Sequence, residues 1–152
     1  MDKSGVKWVI NMFMGEYRHT IDNKGRLTIP SKLRYDLGSE FIVTRGLEGC
    51  LYIYPKVNWD NIITKYKELP DTKEKRYFMR IFLSGAVSCE LDNQGRVNIP
   101  MPLVEYAKLL KDCLIIGVDE RLEVWSKEEW DSFIETNEEN LSDIADSLFS
   151  IN

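Results

Sequence analysis

Apolar residues along the chain fall into two regimes: short extended runs broken by turn formers, and longer stretches with helical spacing. Phe13 to Ile21 reads as extended and runs into Asp22-Asn23-Lys24-Gly25, a hairpin signal because Asn and Gly accept the positive φ of tight turns. A second short strand follows at Arg26 to Ile29. Pro30 then opens a helix over Ser31 to Leu37, closed by Gly38; proline there loses no hydrogen bond and glycine suits the C-terminal cap. Two apolar strands, Phe41 to Thr44 and Leu51 to Tyr54, flank a Leu47-Glu48-Gly49 turn. Lys56 to Leu69 places Val57, Ile62, Ile63, Tyr66 and Leu69 at helical spacing and stops at Pro70. Asp71 is placed to cap a second helix carrying Tyr77, Phe78, Ile81 and Phe82.

The same order of elements then recurs. Thr20-Ile21-Asp22-Asn23-Lys24-Gly25-Arg26-Leu27-Thr28-Ile29-Pro30 is repeated as Glu90-Leu91-Asp92-Asn93-Gln94-Gly95-Arg96-Val97-Asn98-Ile99-Pro100. An extended segment from Ser84 to Leu91 precedes the second copy, and a strand over Arg96 to Ile99 follows its turn. Pro100 and Pro102 open a helix to about Leu109. Cys113 to Ile116 answers Phe41 to Thr44, Leu122 to Trp125 answers Leu51 to Tyr54, and Asp119-Glu120 supplies the turn between. Trp130 answers Trp59. Two copies are too few for a solenoid, so the expectation is one pseudo-two-fold domain of α+β class, mainly β with helices, each half completing the core of the other. The C-terminal stretch opens with Ser126-Lys127-Glu128-Glu129, a capping box with Glu129 reaching back. It continues as an acidic amphipathic helix with Trp130, Phe133, Ile134, Leu141, Ile144 and Leu148 as apolar positions for core or subunit contacts.

Composition narrows the function. With 152 residues, 43% hydrophobic and 30% charged, the chain has a globular balance. Trp8, Val9 and Ile10 form too short an apolar patch for a signal peptide, and no run approaches the roughly 20 residues of a membrane span, so a cytoplasmic location is expected. Cys50, Cys89 and Cys113 are far apart in apolar stretches, which suggests buried, inert thiols and gives neither a disulfide framework nor a metal site. His19 is the sole histidine and no nucleophile motif accompanies it, so catalysis has little to build on. The net charge of −5 conceals a segregation. Arg18, Lys24, Arg26, Lys32 and Arg34 stand against the single acid Asp22 between Tyr17 and Arg34, whereas acids dominate from Asp119 to Asp146. One face can attract phosphate while the tail keeps the whole soluble.

The repeated turn carries the candidate chemistry. An arginine just after the turn glycine, Arg26 or Arg96, projects from a rigid base, where its planar fork reaches phosphate or the O6/N7 edge of guanine. A good turn explains Asp, Asn and Gly but leaves the arginine unexplained. Asp22 and Asp92 repel phosphate, so their expected job, with Gly25 and Gly95, is to brace the loop and its arginine. Lys24 adds phosphate attraction and Gln94 a hydrogen bond to backbone or base. Arg18, His19, Lys32 and Arg34 widen the basic face. Lys24 faces Gln94, and Lys32-Leu33-Arg34 faces Pro102-Leu103-Val104, so the N-terminal copy is expected to grip harder.

Met14-Gly15-Glu16-Tyr17-x-His19-Thr20-Ile21-Asp22-x-Lys24-Gly25-Arg26-Leu27-x-Ile29-Pro30 resembles the opening of the MraZ family, bacterial regulators built from two AbrB/SpoVT-like repeats. The resemblance continues through Thr44-Arg45-Gly46-Leu47-x-Gly49-Cys50-Leu51, Phe82-Leu83-Ser84-Gly85-Ala86-Val87, Asp92-x-x-x-Arg96 and Ile116-Gly117-Val118. It spans Met12 to about Trp130. It implies a swapped-hairpin β-barrel within one chain, assembled as a ring-shaped homo-oligomer on the nucleoid. It further implies binding of double-stranded DNA at short direct promoter repeats of the division and cell-wall gene cluster, including the protein's own gene, commonly as a repressor. The family's Asp-x-x-x-Arg signature carries over to Asp22 with Arg26 and Asp92 with Arg96. No cofactor, small-molecule substrate or membrane partner is implied. The chain is accordingly divided into an N-terminal extension (1–11), repeat 1 (12–58), a helical linker (59–83), repeat 2 (84–130) and an acidic C-terminal helix or tail (131–152). Two rivals stand beside this reading: an antitoxin-like module that embraces a protein partner, and an enzyme using Asp22, Asp92 or Cys89.

Overall fold

The computed structural model describes residues 12–150, so the extension assigned to 1–11 lies outside the described residues. In chain order the elements are β1 (Glu16–Thr20), β2 (Arg26–Thr28), α1 (Ser31–Leu37), β3 (Phe41–Arg45), β4 (Leu51–Pro55), α2 (Lys56–Lys67) and α3 (Lys73–Ser84). The second half follows with β5 (Val87–Cys89), β6 (Arg96–Asn98), α4 (Met101–Tyr106), β7 (Asp112–Val118), β8 (Arg121–Ser126), α5 (Lys127–Asn137) and α6 (Leu141–Phe149). The halves match element for element, giving a mixed α+β fold around antiparallel sheet.

The strand order exposes an exchange that periodicity alone leaves open. Six strands form one sheet in the order β1-β7-β8-β4-β3-β5, and β2 pairs with β6 in a separate ribbon. Exchanging each strand for its counterpart in the other half leaves both orders unchanged. The first strand of each half therefore lies on the third strand of the other, β1 on β7 and β5 on β3, all antiparallel. The hairpin signal at Asp-Asn-x-Gly holds at the turn, where β1 and β2 share the Ile21–Leu27 bridge, and the strands then diverge to partners in the other half, in keeping with the expected swapped arrangement. The sheet and the ribbon enclose one barrel-like core without a continuous ladder between them.

Alternation along the strands creates two apolar layers. Inward, Phe41, Val43, Leu51, Ile53, Cys113, Ile115, Leu122 and Val124 meet Leu27, Ile29, Val97 and Ile99 of the ribbon region, beside Leu33 and Leu37 of α1 and Leu103 and Val104 of α4. Those four ribbon aliphatics are at most 1% exposed. Each stabilises the ribbon's seat by about 1.5–3 kcal/mol. On the opposite sheet face, Tyr52, Tyr54, Leu114 and Trp125 pack beneath the helices. Trp59, Phe82 and Phe78 stack in sequence, and Trp130 and Phe133 close over Trp125.

Several boundaries differ from the sequence expectation. Helix α1 spans Ser31–Leu37 and closes at Gly38 with φ +83°, as read. The α3 cap is Thr72, whose hydroxyl accepts the Lys75 N–H, while Asp71 pairs with Arg76 instead. Ser84 still belongs to α3, so the extended segment before the second turn shrinks to Val87–Cys89. Helix α4 ends at Tyr106, short of Leu109: Lys108 turns into positive φ and the Leu109 N–H reaches back to the Val104 carbonyl, a Schellman-type stop. Ser126 caps α5 by accepting the Glu129 N–H, and a 3-10 turn over Glu138–Asn140 breaks the C-terminal stretch into two helices.

Candidate nucleic-acid interface

Both repeated turns have the same internal wiring. In the first, the Asp22 carbonyl accepts the Gly25 N–H and the Asp22 N–H is bound by the Arg26 carbonyl. Asp22 Oδ1 accepts the backbone N–H groups of Lys24 and Arg26 at 3.0 and 2.9 Å, and Oδ2 accepts Arg26 Nε–H at 2.6 Å. In the second, Asp92 Oδ1 accepts Gln94 N–H and Arg96 N–H at 2.8 and 2.9 Å, and Oδ2 accepts Arg96 Nε–H at 2.9 Å. One carboxylate oxygen thus shapes the loop while the other aims the arginine. Both aspartates are held below the ordinary carboxyl value, chiefly by the backbone N–H of Arg26 or Arg96 and further by the guanidinium hydrogen bond.

Fixing each arginine through Nε leaves its outer fork available. No other hydrogen bond within the described residues engages the two Nη groups of Arg26 or Arg96. Both arginines lie on the outer face of the ribbon, because Leu27 and Val97 between them point into the core. Register places Arg26 opposite Asn98 and Arg96 opposite Thr28. The turns are also tied to each other: the Gly25 carbonyl accepts Ile99 N–H at 2.8 Å, and the Gly95 carbonyl accepts Ile29 N–H at 2.9 Å. Gly25 (φ +85°) admits no side chain, since a Cβ would sit 2.3 Å from the Ile99 carbonyl oxygen. A Cβ on Gly95 (φ +77°) would instead meet the Arg34 guanidinium at 2.2 Å.

The remaining predicted residues divide. Lys24 and Gln94 are exposed at the turn tips, and Lys32 is exposed on the first turn of α1. Arg34 folds inward across Gly95 and donates from Nε to the Ile29 carbonyl at 2.8 Å, so it serves the joint between the turns. Arg18 pairs with Leu114, whose side chain belongs to the helix-covered layer, so it lies on the sheet face away from the ribbon. His19 pairs with Cys113 and is part-buried on the other face.

Three residues escaped the sequence reading. A shallow depression of about 330 Å³ is lined by Thr20, Ile21, Asp22, Arg26, Thr28, Arg96 and Lys111. It gathers three cationic side chains against one carboxylate. Lys111 arrives only through the strand exchange, which bonds its carbonyl to the Ile21 N–H; its counterpart in the first half is Ser39. Thr28 and Asn98 were accessible to a period-two reading, two places beyond each arginine on the same face. Elsewhere, Cys50 and Cys113 are buried and Cys89 is half-buried. Burial pushes the Cys89 and Cys113 thiols up to about 11. No group of three or more His, Cys, Asp or Glu among the described residues is placed to hold a metal ion, and no helix among them is long and apolar enough to cross a membrane. A family model described as "MraZ protein, putative antitoxin-like" matches the chain twice, over residues 12–81 and over residues 82–152.

Proposed function

The chain belongs to the MraZ family, and from that membership and the two outward arginine forks we propose that it is a non-enzymatic, DNA-binding transcriptional regulator. The observation that carries the reading is the paired Asp22–Arg26 and Asp92–Arg96 brace on one exposed ribbon. Guanidinium groups held at Nε, with Nη pairs that no other described residue hydrogen-bonds, suit bidentate contact with phosphate or guanine. Lys24, Lys32 and Lys111 supply phosphate attraction, while Gln94, Asn98 and Thr28 face the same ligand as hydrogen-bonding groups. Repeats 12–58 and 84–130 act as one unit through their exchanged strands, and the helices from 59–83 and beyond 131 scaffold and connect.

One copy offers few phosphate contacts, so useful affinity comes from several copies engaging neighbouring sites. The finer reading follows the family resemblance: a ring-shaped homo-oligomer, acting in the cytoplasm on the nucleoid. There it binds short direct repeats upstream of the division and cell-wall genes and of its own gene, and represses them. Arg26→Ala and Arg96→Ala should each weaken binding to duplex from the region upstream of the protein's own gene by about 5- to 150-fold. Both should flatten its salt dependence and leave the circular dichroism spectrum unchanged. Wild-type gel-shift affinity in both variants would refute the assignment. The antitoxin-like wording of the family model favours a second reading, a protein partner seated on the same ribbon. Co-purification of a stoichiometric protein released by Arg26→Ala, without DNA binding, would select it.

A further inference from the structure

The pseudo-two-fold relates the two ends of the ribbon but not their side chains. Its axis passes between Leu27 and Val97, which face one another, and carries the Arg26–Asn98 pair onto the Arg96–Thr28 pair. Each end thus holds one braced arginine beside a different partner. Strand alternation puts both pairs on one face, two residues or about 7 Å apart along the ribbon. That spacing covers about two base steps of a duplex at roughly 3.4 Å each, and a two-stranded ribbon fits the major groove.

The flanks differ more than the partners do. Beside Thr28 stand Thr20 and Lys111, brought there by the Ile21–Leu27 bridge and by the Ile21 N–H donating to the Lys111 carbonyl. The equivalent residues beside Asn98 are Glu90 and Ser39. With both arginines shared, the Thr28 side gathers three cations against the carboxylate of Asp22. The Asn98 side sets the same two arginines against Glu90 and Asp92. A phosphate is therefore drawn to the first side and repelled from the second.

Asn98 has the means to read a base where phosphate is kept away. Its side chain is exposed, and its Oδ1 lies against the first turn, 3.5 Å from the position a Gly25 Cβ would take. No hydrogen bond among the described residues engages its amide. The next residue, Ile99, donates to the Gly25 carbonyl, so Asn98 stands on the same rigid joint as Arg26. Side chains directly opposite in such a ribbon start roughly 5 Å apart, within reach of neighbouring base pairs. An asparagine amide pairs with adenine N6 and N7 as a guanidinium pairs with guanine O6 and N7. Thr28 is half-buried and offers one hydroxyl, which cannot make that bidentate pair.

We propose, on the basis of the DNA-binding reading above, that the ribbon is polar. Asn98 reads an adenine next to the guanine bound by Arg26, while Lys111, Thr20 and Thr28 seat a phosphate beside Arg96. One end specifies and the other holds. The chain consequently takes each site in a single orientation despite its internal duplication.

Selection from a randomised duplex library by the full chain, followed by anisotropy titrations on the selected duplex, tests this assignment. The wild type should select an asymmetric motif with adjacent G·C and A·T pairs. Asn98→Ala should lose the A·T preference, a change of about 5- to 150-fold at that pair, and keep the guanine. Asn98→Asp should replace adenine by cytosine there, because a carboxylate accepts from cytosine N4. Lys111→Gln should keep every base preference and lower the slope of log affinity against log salt by about one. Asn98 and Lys111 are exposed, so the circular dichroism spectra should match the wild type. A motif that reads the same on both strands, an adenine preference that survives Asn98→Ala or Asn98→Asp, or a base preference lost in Lys111→Gln would overturn the polar ribbon and leave DNA binding standing. A wild type that binds no duplex would overturn the DNA-binding reading, and the polar ribbon with it.

Discussion

Replacing Asp22 with asparagine separates the two jobs of its carboxylate. Asn retains Oδ1, so it can still accept the backbone N–H groups of Lys24 and Arg26 and keep the turn closed. At the other position it places an NH₂ where Oδ2 accepts Arg26 Nε–H at 2.6 Å, so two donors confront each other and the guanidinium is released. Re-ordering a rotamer-rich side chain on binding costs about 0.5–1.5 kcal/mol, so affinity for the cognate duplex should fall roughly two- to tenfold. Charge acts in the opposite direction, because removing a carboxylate beside phosphate tightens every complex regardless of sequence. Asp22→Asn should therefore weaken cognate binding while strengthening binding to scrambled duplex. Fluorescence anisotropy with both duplexes across a salt series reads the ratio. Cognate and scrambled affinities rising together by one factor would refute the brace and reduce Asp22 to a turn former.

Further outcomes follow from the same joint. Gly25→Ala should destabilise by about 2–5 kcal/mol, from positive-φ strain plus loss of the Ile99 N–H bond to its carbonyl. Gly95→Ala displaces only the Arg34 side chain and should cost about 1–3 kcal/mol; equal shifts of the urea midpoint at constant m would contradict this. Asp22 and Asp92 titrate below 3.8 in the folded state, so the stability they confer is complete above 3.8 and is lost as pH falls through their lowered values. The Asp22→Asn, Asp92→Asn protein should consequently lose melting temperature less steeply than the wild type below about pH 4, with parallel profiles from pH 5 to 7. Parallel profiles down to pH 2 would show that the carboxylates are not held by these hydrogen bonds.

Local features of the sequence determined much of this protein. The turn chemistry of Asp-Asn-x-Gly, the Pro30 and Gly38 boundaries of α1, and the unexplained arginines after each glycine all lie within a few residues, so one segment carries the information. Short-range alternation likewise sets which face of each strand is buried, as at Leu27 and Val97. Alternation does not name a strand's partner, because any antiparallel neighbour in register satisfies it. Tertiary structure therefore decided that β1 leaves its own half for β7, and with it that Lys111 joins the arginines. It also decided that Arg34, read as part of the basic face, reaches the Ile29 carbonyl through Nε and lies against Gly95. Two glycines identical in the repeat differ in tolerance for the same reason: one faces a backbone carbonyl and the other a movable side chain. The sequence specified two turns that share their Asp, Asn, Gly and Arg and differ at Lys24 and Gln94; folding them against one another made even the shared glycines unequal, because each turn's surroundings come from the other half.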